Sequence, residues 1–273
     1  MAIVEGGVVI EGGIPRSVNP FGKTRRVPAG TTIQSVVNAA VAGDVIYIDA
    51  GDYNEAVTIT TDNLTLVGIG SRGAVAIAPS AANAKAITID GPAARVEEVT
   101  LINIGGEGNG TGGGLHIKGN IRRLRFAGCK FEGGAFGVKL ESTAVGSVGD
   151  VIFDDVEFAW TTTGMHLTAS GGGDPVTNVQ VRRSLFHNNT GRCILSDVAH
   201  TTDLTVTDCT FAGDEAAAAP TNEFVKVNVA SSSGLFARNS FYLATMAVAK
   251  LAIAAGIFWV GNTTEAGVGG RPA

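Results

Sequence analysis

Two adjacent aspartates, Asp154 and Asp155, are the carboxylates in this sequence best suited to act as the acid and base of a glycoside hydrolase. Asp155 lies three residues before a phenylalanine, and the same position in the next three segments holds Arg183, Asp208 and Arg238. Charges that alternate at a fixed interval stabilise stacked strands, each exposed pair by at most about 1 kcal/mol. We therefore predict a structural role for these aspartates, with catalysis as the alternative.

Histidines are the other candidates for acid and base chemistry. His187 and Arg192 lie in the asparagine-rich stretch "FHNNTGR", which favours a hydrated turn over a catalytic corner. His200 lies near Asp203, but no serine with a supporting elbow accompanies them, so the sequence predicts no catalytic triad. We predict no catalytic residue.

The elements that position these residues follow from a repeat. Alternating apolar positions surround each phenylalanine of the repeat, and glycine, which suits tight corners, accounts for 38 of 273 residues. Each period therefore contains two or three short strands. The phenylalanines are separated by 27, 28, 25 and 30 residues, at Phe131, Phe158, Phe186, Phe211 and Phe241.

One arrangement buries the inward side chains of such a repeat. A single coil is too small to have its own core, but coils stacked by parallel pairing at about 4.8 Å place like positions over like. The sequence predicts an all-β fold: a single-stranded right-handed parallel β-helix of about seven or eight coils, with the phenylalanines as an internal ladder.

A short helix is predicted to cap the N-terminal end of this β-helix. Residues 31–42 have one apolar face, Thr31 and Gln34 have the spacing of a capping box, and Gly43 can end the helix. We assign residues 1–30 to an N-terminal arm for attachment and oligomer contacts, 31–260 to the β-helix and 261–273 to a C-terminal tail. The stretch 243–273 is expected to close the far end or join an oligomer interface.

The outward face of one strand in each coil is the best candidate surface for a ligand. It presents His116, Lys139, His166, Ile194 and Lys226, of which the four polar residues are candidate carbohydrate ligands. The two histidines lie two coils apart, about 10 Å, too far to share a metal ion. We predict no metal site and no cofactor, and a solvated sheet face without function is the alternative interpretation.

The repeat also assigns the three cysteines. Cys129 and Cys209 occupy the same inward position three coils apart, about 14 Å, beyond the reach of a disulfide. Cys193 is predicted inward on another wall. Buried free thiols are compatible with folding in a reducing cytoplasm.

Composition and charge exclude some partners. The net charge of −5 and pI near 5.4 disfavour nucleic-acid binding, which needs a basic surface. The N-terminus lacks the pattern of a signal peptide, so we expect no export by that route. The apolar stretch 243–260 contains Lys250 and Gly256, so we expect no membrane insertion.

The predicted helix, with "GDVIYIDAGDYNEAVTI" and "NLTLVGIG" after it, resembles the N-terminal cap and first coils of the pectin-lyase-like superfamily. This superfamily includes pectate lyases, pectin methylesterases, polygalacturonases and phage tailspikes. The resemblance covers residues 31–70, and the later coils match in periodicity. The sequence has no "DFIFG"-like, "NTDG" or "GHG" segment and no calcium-binding carboxylate cluster. The resemblance therefore implies the fold and leaves the activity open.

These observations together favour a non-catalytic structural component of a phage particle, either a head decoration or a tail or spike protein. Such a protein assembles in the host cytoplasm and resides in the virion. Analogy with tailspikes implies a homotrimer, with capsid or tail proteins and a surface polysaccharide as partners. The alternatives are a polysaccharide lyase or hydrolase using His166, Lys139, Asp154 or Asp155, and a non-catalytic carbohydrate-binding β-helix.

Overall fold

The prediction of an all-β parallel β-helix is confirmed. The computed structural model describes residues 3–5, 8–11, 14–17, 22–28, 30–144, 146–170, 175–197, 201–212, 225–227, 233–242, 251–253, 256–264 and 267–268. The chain winds in coils around one apolar core, and strands at equivalent positions of successive coils pair to form three parallel ladders. Ahead of them, Ile3–Glu5, Val8–Glu11 and Ile14–Ser17 form a separate antiparallel sheet.

Each full coil contributes one strand to each ladder. The first ladder contains Val57–Ile59, the start of Ile87–Glu97, the start of Gly113–Ala127, Phe136–Ser142, Thr163–Ala169, Arg192–Ser196, Val225–Val227 and Leu251–Ile253. The second ladder contains Thr24–Val27, Val45–Ile48, Thr65–Gly68, the end of Ile87–Glu97, Thr100–Ile102, the end of Gly113–Ala127, Val148–Asp154, Val176–Arg182, Thr201–Thr207, Gly234–Ala237 and Ile257–Val260.

The third ladder is a sheet of short strands. It contains Gly51–Tyr53, Val75–Ile77, Ile104–Glu107, Lys130–Glu132, Glu157–Ala159, Leu185–His187, Thr210–Ala212, Ser240–Tyr242 and Thr263–Thr264, with Gly267–Val268 antiparallel at its end. The first two ladders form one continuous sheet because Ile87–Glu97 and Gly113–Ala127 run through both.

Phenylalanine rings form the centre of the core. Phe131, Phe158, Phe186, Phe211 and Phe241 pair in register along the third ladder, and all five are buried. The last four stack nearly parallel, with successive ring centroids 4.4, 4.8 and 4.6 Å apart. The predicted internal ladder is therefore present. Like rings on neighbouring coils gain both burial and stacking.

Charged residues occupy the corner of the coil between the second and third ladders. The backbone is left-handed, with φ between 51° and 56°, at Asp155, Arg183, Asp208 and Arg238. The predicted pairing is right for Arg238, which contacts Asp208 at 2.7 Å. The other direct contacts differ from the prediction, because Arg183 contacts Asp154 and the Asp155 carboxylate contacts Arg72. The hydrogen bond from Arg238 lowers the pKa of Asp208, and the charge of Arg183 on the preceding coil still helps to lower it.

The capping helix is shorter than predicted and is capped differently. It spans Ile33–Asn38, and its first two backbone N–H groups donate to the Glu55 carboxylate at 2.6 and 2.9 Å. The Thr31–Gln34 capping box is absent, because the Gln34 side chain bonds the backbone of Thr58 instead. A side chain of the first coil thus fixes the helix over the end of the core.

One strand of the β-helix lies within the segment that the sequence assigned to the N-terminal arm. Thr24–Val27, within the predicted arm, pairs with Val45–Ile48 and so belongs to the second ladder. Residues 213–224 and 243–250 lie outside the described residues.

Replacing one ring of the phenylalanine ladder should destabilise the protein strongly. We expect Phe186→Ala to lower the free energy of unfolding by about 3–5 kcal/mol, because it leaves a cavity between two stacked rings. Phe258→Ala, at a ring that is 72% exposed, should change it by less than about 0.5 kcal/mol. Equilibrium denaturant unfolding measures both, and equal losses would contradict the ladder.

Candidate functional site

The outward residues predicted as carbohydrate ligands do form a continuous row on the first ladder. His116 pairs in register with Lys139, Lys139 with His166, and the row continues through a leucine to Lys226. The row crosses four coil-to-coil steps, so it extends about 19 Å along the β-helix. We call this row the polar strip.

One member of the predicted strip is wrong. Ile194 is fully buried, and Leu195 occupies the outward position between His166 and Lys226. The corner after Phe186 is one residue longer than the corner after Phe158, because Met165 lies seven residues after Phe158 whereas its register partner Ile194 lies eight residues after Phe186. Because Ile194 and Leu195 are both apolar, the sequence pattern could not reveal which of them faces outward.

One part of the strip is a cluster around Glu141, whose carboxylate accepts hydrogen bonds from the neighbouring coil and from its own strand. His116 Nε2 lies 2.8 Å and Lys139 Nζ 2.9 Å from Glu141 Oε2. Burial would raise the pKa of Glu141, but hydrogen bonds from Lys139, His116 and Ser170 outweigh it and lower the pKa to about 2. Glu141 is therefore an ionised acceptor at neutral pH.

His116 in the same cluster is held neutral. Its side chain is 7% exposed, and its ring meets the Phe136 ring edge-on at 6.0 Å. Burial lowers the pKa of His116 to about 4, although Glu141 acts in the opposite direction. The neutral imidazole donates its Nε2–H to Glu141, so this donor is used within the cluster.

His166 is the more accessible histidine of the strip. Its Nε2 lies 2.9 Å from Asp197 Oδ2, and the two side chains are 23% and 41% exposed. Sequence analysis missed Asp197, because it placed the strand Arg192–Ser196 one residue out of register with its neighbour. The strip therefore offers an imidazole–carboxylate pair and an ammonium group to hydroxyl-bearing ligands.

The alternative acid and base pair is occupied by arginines. Asp154 is 5% exposed and contacts Arg183 and, at 3.4 Å, Arg182. The Asp155 carboxylate contacts the guanidinium group of Arg72, which lies much earlier in the chain. Because both carboxylates are neutralised by different cations, they do not form the shared site that a hydrolase needs.

The remaining candidates are separate from the strip. His187 Nε2 contacts Glu157 Oε1 at 3.1 Å on the third ladder, and His200 lies outside the described residues. Within the part of the chain that the structure describes, no three histidine, cysteine, aspartate or glutamate side chains are grouped as a metal site.

All three cysteines are buried free thiols, as predicted. Burial raises the pKa of Cys129 and of Cys209 to about 12 and also raises that of Cys193. Since the thiolate is the reactive form, these thiols are inert at neutral pH.

A second polar surface lies on the outward face of the second ladder, and the sequence analysis did not identify it. It is a shallow depression of about 210 Å³ that includes Arg125, Asp150, Asn178 and Gln180. Asn178 donates to Asp150 at 2.8 Å and accepts from Gln180 at 3.2 Å. These side chains share a face because Arg125 and Gln180 occupy equivalent outward positions two coils apart.

Comparison with known proteins defines the fold. No family model matches the sequence, and no curated protein matches it either. Pectin methylesterase from carrot has 13% identity and a TM-score of 0.59, over 88% of this chain and 82% of that chain. Alginate lyase from Paenibacillus sp. str. FPU-7 has 13% identity and a TM-score of 0.58, over 89% and 97%.

A further similar structure is ORF18 of Geobacillus virus E2, with 14% identity and a TM-score of 0.44, over 94% of this chain and 66% of that chain. The carrot and Paenibacillus structures show that the protein has the parallel β-helix fold that the resemblance implied. At these identities the likeness concerns the fold alone. Among the described residues, no helix is both long and apolar enough to cross a membrane.

The buried His116 should make stability depend on pH. The unfolded chain takes up a proton at this group near pH 6.5, whereas the folded chain does so only near pH 4. The unfolded state therefore binds more protons between these values, and the free energy of unfolding should fall by on the order of 2–3 kcal/mol as the pH drops through this window.

His116→Gln should remove this part of the pH dependence, because glutamine can still donate to Glu141 but does not titrate. His166→Gln is the matched control and should leave it in place. Urea unfolding between pH 4 and 7 measures the difference. An unchanged pH slope in His116→Gln would contradict the assignment of a buried neutral imidazole.

Proposed function

We propose that this protein is a non-catalytic, rigid β-helical module that acts in adhesion or assembly as a structural component of a phage particle. The observation that carries the non-catalytic part is the pairing of the candidate carboxylates. Glu141, Asp154, Asp155 and Asp197 each bond a cationic or imidazole group. A hydrolase instead keeps one carboxyl group protonated beside a second, ionised one.

The pKa values in the Glu141 cluster point the same way. A general acid or base works best when its pKa lies near the pH of the reaction. The pKa of Glu141 is lowered to about 2 and that of His116 to about 4, so both move away from neutrality. This cluster is suited to holding two coils together and to presenting fixed donors and acceptors.

A mechanical role fits the core. The aromatic ladder and the parallel hydrogen-bonded strands continue from coil to coil without a domain boundary in the described part of the β-helix. Adhesion would then use the polar strip, where Lys139, His166 and Lys226 can donate hydrogen bonds to the hydroxyl groups of a surface polysaccharide.

Placement in a phage particle rests on the thiol core and on the analogy with tailspikes. Three buried free thiols suit folding in a reducing host cytoplasm. In this proposal the N-terminal arm attaches to capsid or tail proteins, and three copies form the spike or decoration.

An enzyme of the lyase or hydrolase type is the second candidate, and one contact favours it. His166 is partly exposed, and Asp197 orients its imidazole at 2.9 Å, which is an arrangement that a general base can use. The carrot and Paenibacillus structures are of a pectin methylesterase and an alginate lyase, so pectin and alginate are the substrates to test first.

Digestion assays separate the two functions. The protein is incubated with methylated pectin, polygalacturonate and alginate, and new reducing ends, unsaturated products and released methanol are measured. We expect the unaltered protein to form no more product than the variants His166→Ala and Asp154→Asn, since neither residue has a catalytic role in the proposal. Product that disappears in either variant would contradict it.

The particle assignment has its own test. Immunogold electron microscopy of particles released from the bacterium that carries the gene should label the virion head or tail. Particles without label, from cells in which the protein is detected, would contradict a virion role.

A further inference from the structure

Trp160 occupies a position in the coil where tryptophan is out of place. It lies at the corner between Glu157–Ala159 and Thr163–Ala169, with a left-handed φ of 56°. The equivalent residues of the neighbouring coils, two positions after the ladder phenylalanine, are Gly133 and Asn188, with φ of 72° and 54°. Glycine and asparagine tolerate this conformation, whereas a bulky aromatic residue is strained in it.

The indole gains little burial in return for this strain. Trp160 is 57% exposed, so packing against the core does not account for a large aromatic side chain at this corner. Strained residues that persist in a fold are held by their surroundings and concentrate at functional positions.

A buried asparagine holds the strained backbone in place. Asn189, from the next coil, donates from Nδ2 to the carbonyl of Phe158 at 3.1 Å, on one side of Trp160. On the other side, its Oδ1 accepts from the Thr161 hydroxyl at 2.8 Å and from the Thr161 N–H at 3.4 Å. The backbone is therefore fixed on both sides of Trp160, and the exposed indole extends from a rigid corner.

Polar side chains lie directly beside the exposed indole. The His187 ring meets Trp160 edge-on, with ring centroids 6.3 Å apart. His187 Nε2 contacts Glu157 Oε1 at 3.1 Å, and Lys130 and Arg72 each approach Glu157 at 3.7 Å. His187 and Glu157 are about one-fifth exposed, so their unused donor and acceptor positions can be reached from solvent.

We propose that Trp160, His187 and Glu157 form a binding site for a pyranose ring of a neutral saccharide. The apolar face of a sugar ring packs flat on an exposed indole, and the hydroxyl groups at its edge need nearby donors and acceptors. A fixed aromatic plate next to an imidazole and a carboxylate supplies both requirements.

Local charge selects a neutral sugar over a polyuronate. Asp155, Glu157 and Glu132 outnumber Arg72 and Lys130 in this cluster, so an additional carboxylate on the ligand would be repelled. The inference does not depend on the proposed function, because a catalytic β-helix could carry the same site.

Tryptophan fluorescence tests the site directly. The chain contains two tryptophans, so Trp259→Phe leaves Trp160 as the only one and keeps an aromatic ring in the stack on Phe236 and Phe241. The probes are maltohexaose, cellohexaose and hexagalacturonate. At least one neutral hexasaccharide should change the emission in a saturable way, with an affinity at least about tenfold higher than that of hexagalacturonate. No response to either neutral probe would overturn the proposal.

Trp160→Asn separates binding from folding. By calorimetric titration it should abolish binding of the responding hexasaccharide, and its melting temperature should rise, because asparagine is accommodated in this conformation in the next coil. Phe258→Thr, at another exposed aromatic residue, should leave binding unchanged. Retained binding in Trp160→Asn, or a lower melting temperature, would overturn the proposal. A self-association that Trp160→Asn abolishes would also overturn the proposal, because the ligand of the site would then be a second copy of this protein.

Discussion

Parallel pairing of like positions on successive coils is the constraint on which the rest of this structure depends. A coil of 25 to 30 residues cannot bury its own apolar side chains, so each coil must use its neighbours as a core. The register that stacks Phe158, Phe186 and Phe211 also determines which residues between them face solvent. The polar strip exists because the same register brings Lys139 beside His116 and His166.

The corners of the coil carry most of the individual chemistry. They require left-handed backbone, and most coils meet that requirement with glycine, asparagine or a charged residue that pairs with an adjacent coil. Arg238 and Asp208 illustrate the usual solution, in which a corner residue stabilises the stack. Trp160 departs from it, and the hydrogen bonds of Asn189 show that the surrounding structure maintains the exception.

The sequence could predict those features that repeat and missed those that depend on a single long-range contact. Spacing alone identified the phenylalanine ladder, the buried thiols and the outward row. It placed Ile194 outward because the corner after Phe186 contains one more residue than the corner after Phe158, and spacing from the phenylalanine could not show this. It assigned the helix cap to Thr31, a near neighbour, when Glu55 fills that role from the first coil. Asp197 and Trp160 were missed because their importance lies in contacts with other coils.

The register between coils can be measured directly with spin labels. Arg125 and Phe258 lie on the same outward row, five pairing steps apart, so their Cα atoms should be separated by about 24 Å. Since the native cysteines are buried, labels on Arg125→Cys and Phe258→Cys report this pair alone. We expect one narrow distance distribution near that value in pulsed electron paramagnetic resonance. A broad distribution, or a mean that differs by more than two coil spacings, would contradict the stacked solenoid.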